Sequence, residues 1–60
     1  MALYGLHGKL SALPRKGDAL ADILIRASEL VTRSQGCKLY LVSRDPEDTD
    51  TVWVTEVWET

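Results

Sequence analysis

One stretch, residues 36–58, limits what this chain can become more than any other. It reads as two apolar strands joined by a turn, and neither strand keeps a wholly polar face for water. The first arm is G-C-K-L-Y-L-V-S-R, the turn is D-P-E-D-T-D, and the second arm is T-V-W-V-T-E-V-W. Leu, Val, Thr, Tyr and Trp favour extended backbone, and the acidic, proline-containing stretch cannot continue a ladder, so strands are expected over residues 37–43 and 52–58. Side chains alternate along a strand. Cys37, Leu39 and Leu41 are expected on one face of the first arm with Tyr40 and Val42 on the other, while Val52, Val54, Glu56 and Trp58 oppose Trp53 and Val57 on the second. A single helix covers one face. The other needs a second subunit or the remainder of a larger domain.

Association is expected on a second ground. Sixty residues make one small domain, which buries only about 60% of its unfolded surface. The lone Cys37 forms no internal disulfide, and with His7 as the single histidine no Cys/His zinc cluster can be assembled, leaving oligomerisation, most simply a homodimer, as the staple. The net charge is −2, with seven basic residues scattered among nine carboxylates, which argues against a nucleic-acid partner. No apolar run approaches the roughly 20 residues that span a bilayer, and residues 1–10 have neither the basic start nor the hydrophobic segment of a leader. The expectation is a cytoplasmic protein with a reduced thiol and no membrane partner.

Ahead of the hairpin, residues 3–11 read as a strand, L-Y-G-L-H-G-K-L-S, with Tyr4, Leu6 and Leu10 on one face and His7 and Lys9 on the other. Gly5 and Gly8 weaken it and mark either a simple bend or a place where something approaches the backbone. P-R-K-G is a turn, and Asp18 is the expected N-cap of a helix over residues 18–32. Leu20, Ile23, Leu24, Ala27, Leu30 and Val31 form its apolar stripe, Asp22 with Arg26 and Glu29 with Arg33 its solvated side, and Ile25 is a lone exposed apolar residue there. Gly36 suits a left-handed cap at the helix end. Strand, helix, strand, strand is a split β-α-β unit in which the third strand inserts between the first two. The expected class is therefore α+β, a ferredoxin-like β-α-β-β unit with sheet order 1-3-2 and the first strand as an open edge.

Few residues offer chemistry. Asp45, Glu47, Asp48 and Asp50 crowd the turn, but without the glycine of a calcium loop they read as a solvated hairpin tip. Cys37 reads as a small packing residue. His7 reads first as an ordinary strand residue, with a general base as the alternative. Glu56 and Trp58, two apart on one strand face, border the same volume as a site pair or supply core area and an ion pair.

Two stretches, Y-G-L-H-G-K-L-S-A-L-P with the helix after it and G-C-K-L-Y-L-V-S-R-D-P-E-D-T-D-T-V-W-V-T-E-V-W-E, resemble the antibiotic biosynthesis monooxygenase family of dimeric α+β barrels. The Gly-Cys strand, the acidic Pro turn and the E-x-W-E strand fall in the family's order. The resemblance covers essentially residues 1–60 and about the first half of a family domain, the second helix and fourth strand being absent. It implies a sheet-to-sheet dimer and oxidation of a quinol, phenol or polycyclic aromatic by molecular oxygen with no cofactor. It further implies that Trp58 walls the substrate pocket beside Glu56 and that His7 assists proton removal. The alternative within the same fold is a non-catalytic dimerisation or small-ligand-binding module.

Overall fold

The computed structural model describes residues 2–59, so the first and last residues of the expected domain lie outside the described ones. The elements run β1 (Leu3–Ser11), α1 (Gly17–Val31), β2 (Cys37–Arg44) and β3 (Thr51–Glu59). They form one sheet of order β1-β3-β2, antiparallel at both pairings. The last strand thus enters the middle, as the split pattern requires.

The central position gives β3 the core. Val52 is 0% exposed, and Val54 and Thr51 are also buried, with Ala21 of α1 packed above the sheet. A valine withdrawn fully from water contributes about 1.5–3 kcal/mol. The buried Thr51 hydroxyl donates to Asp48 Oδ2 at 2.9 Å, so its burial leaves no unsatisfied donor.

Residues opposite one another in an antiparallel ladder project to the same face. On the helix side, Tyr4 pairs with Trp58, Leu6 with Glu56 and Leu10 with Val52, and across the other ladder Tyr40 pairs with Glu56 and Val42 with Val54. The reverse side carries His7 opposite Thr55 and Lys9 opposite Trp53, with Leu39 opposite Val57 and Leu41 opposite Thr55. Strict alternation fails at one place. Between Cys37 and Leu39 the register slips, so Cys37 lies opposite Trp58 and leaves the face of Leu39 and Leu41 on which it was expected. A bulge of this kind adds a residue to one strand. Here that residue is Lys38, whose ammonium pairs with Glu59 at 2.6 Å.

The helix starts differently from the sequence expectation. Lys16 occupies the N-cap position without a side-chain cap, and Asp18 lies inside the helix, where it pairs with Arg44 Nη1 at 2.9 Å. The cap comes from the hairpin instead. Asp50 accepts the Gly17 N–H through Oδ1 at 3.2 Å and the Arg15 N–H through Oδ2 at 3.1 Å. Gly17 sits so close to the chain at Thr49 that a Cβ would collide with the Thr49 carbonyl oxygen. At the other end Thr32 is the C-cap, in right-handed backbone. Gly36 has the left-handed φ of 89°, but it serves the turn into β2, where its carbonyl accepts the Glu59 N–H at 2.7 Å.

α1 rests chiefly on β2 and less on β3. Leu20, Ala21, Leu24, Ala27, Ser28 and Val31 are its buried or half-buried side. Ile23 and Leu30, expected in the packing stripe, are 64% and 70% exposed. Each follows a packed residue, Leu20 or Ala27, by three positions and so sits about 60° further round the helix. The opposite flank carries Asp18, which reaches Arg44 on β2. Ile23 and Leu30 consequently face the side of β1, all nine residues of which are exposed.

The openness of the molecule as a whole has a measurable size. The accessible surface is 4567 Å², roughly 650 Å² above the value expected for a closed monomer of 6.7 kDa. The radius of gyration is 12.4 Å, against about 10 Å for a compact chain of this length.

Gly17→Ala is expected to lower stability by about 1–3 kcal/mol, the usual range for forced overpacking. Gly8, where an added Cβ meets nothing within 4 Å, is expected to tolerate the same change. Urea unfolding of the two variants checks the contrast.

Candidate functional site

On the helix side α1 leaves the β1 half of the sheet open, and this open face forms a shallow trough. Its floor is the β1–β3 ladder, with Tyr4, Leu6 and Leu10 on β1 alongside Trp58, Glu56 and Val52 on β3. Leu6 is 54% exposed, and Tyr4 and Leu10 are also open. An apolar floor with few polar groups is the usual lining of a small-molecule site.

Glu56 and Trp58 meet there. The Trp58 indole N–H donates to Glu56 Oε1 at 2.9 Å, which fixes both side chains on the central strand. Tyr40 flanks Glu56 from β2, a neighbour the sequence reading did not single out. Only the strand register could have revealed it. Burial, and then the negative charge of Glu56, push the Tyr40 phenol above its ordinary pKa, so its hydroxyl stays protonated at neutral pH.

His7 is elsewhere. It lies on the reverse face, where its ring stacks on Trp53 at 4.8 Å between centroids, 12° from parallel, and Nδ1 shares a hydrogen bond of 2.8 Å with Thr55 Oγ1. Lys9 Nζ lies 5.8 Å from the centre of the Trp53 ring. Within one protomer the sheet therefore separates His7 from the Glu56–Trp58 pair.

A cleft of about 340 Å³ opens at a third place, lined by Arg15, Gly17, Asp18, Arg44, Thr49 and Asp50. Its polar groups already serve one another. Asp50 caps α1, and Arg44 bridges Asp18 and the Thr49 carbonyl. The Asp45 and Asp48 carboxylates are similarly engaged. Asp45 Oδ1 accepts the Glu47 and Asp48 amides, and Asp48 Oδ1 accepts the Asp50 amide.

Residues 3–60 match the family model for antibiotic biosynthesis monooxygenase. The chain belongs to the antibiotic biosynthesis monooxygenase family. Among solved structures, a Chloroflexus aurantiacus J-10-fl protein assigned to the antibiotic biosynthesis monooxygenases superposes with a TM-score of 0.85 at 42% identity. That match covers 98% of this chain and 57% of the other, so the present chain spans little more than half of its solved relative. No curated protein matches significantly. The β-α-β-β unit with order β1-β3-β2 is thus a ferredoxin-like portion of the family fold. Among the described residues no helix is long and apolar enough to cross a membrane.

One pH effect follows on the reverse face. The Trp53 indole N–H, bonded to Asp45 Oδ2 at 2.9 Å, is the main cause that holds the Asp45 carboxyl below its usual range, with the Glu47 and Asp48 amides and Lys9 helping. A carboxyl whose folded pKa is depressed stabilises the fold above its unfolded value, about 3.9, and loses that contribution as pH falls through the folded value. Asp45→Asn is therefore expected to lower the melting temperature at pH 7, with the deficit shrinking below about pH 4. Melting curves of both proteins across that range check the sign.

Proposed function

We propose that this domain acts in the oxidation of an electron-rich phenol, quinol or polycyclic aromatic by molecular oxygen with no added cofactor, the substrate lying in the helix-side trough against Trp58. The observation that carries the reading is the Trp58–Glu56 contact on the floor of an open apolar trough, in a chain of this family. The indole supplies a flat wall for an aromatic ring, and Glu56 supplies the acceptor that orients a hydroxyl. The chemistry balances without an external reductant. A phenol with a free ring C–H and one O2 gives a quinone and one water, one oxygen atom entering the ring and the other leaving as water. The proton-removing role that the resemblance implies for His7 is not one this geometry supports within a single protomer, because His7 stacks on Trp53 behind the sheet.

The reverse face has its own role in this proposal. Leu3, Leu39 and Leu41 are exposed on it, an apolar patch suited to an interface between two copies. A sheet-to-sheet homodimer fits this face and leaves the trough free.

Trp58→Ala in the full-length protein is expected to cut turnover of a naphthol by at least about tenfold while shifting the melting temperature by a few degrees only, since a pocket wall orients substrate. Oxygen uptake measured beside thermal unfolding separates the two effects. Uptake unchanged by the substitution sinks the site. Failure of the wild type to consume oxygen with any phenol, while sedimentation still shows a dimer, favours the non-catalytic binding or dimerisation module.

A further inference from the structure

Glu56 is in an unusual position for a carboxylate. Its Oε1 is held by the Trp58 indole, while Oε2 takes part in none of the described hydrogen bonds and the side chain has no described ion-pair partner. The groups that face it are Tyr40 from β2 and Leu6 from β1, with Tyr4 alongside Trp58. On α1 the sheet-facing Ala27, Ser28 and Val31 bring no charge. Arg44, the cation on this face, lies four residues along the ladder, opposite Val52, and is engaged with Asp18 and Thr49. A half-buried carboxylate anchored at one oxygen and unengaged at the other presents a fixed acceptor to whatever fills the trough.

We infer that Glu56 receives the hydroxyl proton of the phenol bound in the trough. The inference rests on the phenolic reading above. The electron passes from the aromatic ring to O2 and the proton from the hydroxyl to Oε2, giving a phenoxyl radical, superoxide and a neutral carboxylic acid, with one negative charge on each side. A phenol that has given up an electron is a much stronger acid than the phenol itself, which eases transfer of its proton to a carboxylate. The radical and superoxide then join through a new ring C–O bond. Glu56 returns its proton to the peroxide, and the O–O bond breaks as the ring C–H proton is lost, releasing water and leaving the quinone. Tyr40, whose ionisation is opposed by burial and by Glu56, stays neutral and does not replace it as the base.

The test compares 2-naphthol with 2-methoxynaphthalene, which has the same aromatic body but no O–H, by equilibrium dialysis against the full-length protein and Glu56→Gln. Glutamine retains an oxygen for the Trp58 indole, so the fold is expected to survive. The wild type should prefer the naphthol by roughly tenfold, the scale of a hydrogen bond to a charged group, and the variant should lose most of that preference. The preference in the wild type is a readout that stands alone if the variant does not fold. Absence of the preference in the wild type, or its survival in Glu56→Gln, overturns the inference, and so does oxygen uptake that the substitution leaves unchanged. A preference that depends on Glu56 in a protein that consumes no oxygen supports the contact while removing the monooxygenase reading, so the two claims fail separately.

Discussion

One carboxylate ties the two halves of this structure together. Asp50, at the end of the hairpin turn, accepts amide protons from Arg15 and Gly17, and the chain at Thr49 approaches Gly17 closely enough to exclude any side chain there. The helix start is thereby pinned to the tip of the hairpin. From that point α1 runs over β2 and β3, and β1 is left bare. The trough, the surplus surface and the open edge all descend from this placement.

The sheet then divides the polar chemistry into two compartments. Glu56 and Trp58 look into the trough, while His7, Lys9 and Trp53 form a stacked group on the reverse side, joined to the turn through Asp45. The division follows from parity alone, because residue 7 on β1 stands opposite residue 55 on β3, one position from Glu56. A one-residue slip of β1 would have brought His7 and Glu56 together. The register also puts Lys9 rather than Leu10 beside Trp53, so the apolar residues of β1 line the trough.

Fold and chemistry are separable in such a unit. A three-stranded sheet with one helix can complete itself against a partner, against further chain or against a ligand, and each would cover a different part of the surplus surface. What distinguishes the trough from the reverse face is chemical. It holds a single anchored carboxylate among apolar groups, whereas on the reverse face Lys9 lies against Trp53 and Glu59 pairs with Lys38.

The sequence by itself determined the elements and their order. Residues 3–11, the 15-residue helix and the hairpin arms fall within a residue or two of expectation, because periods of two and 3.6 are local properties written in the spacing of apolar residues. Order 1-3-2 followed from the connectivity rules of a split unit. Glu56 and Trp58 were legible as a pair because two residues on one strand share a face whatever the tertiary context. Only the tertiary structure decided the rest. The N-cap came from Asp50, 33 residues away from Gly17, and no local pattern announces a cap supplied across the fold. The bulge at Lys38 moved Cys37 to the other face, since one extra residue reverses parity without changing composition. Ile23 and Leu30 were apolar at helical spacing yet stayed exposed, because spacing defines a stripe while the direction in which the helix is pinned decides which part of that stripe meets the sheet.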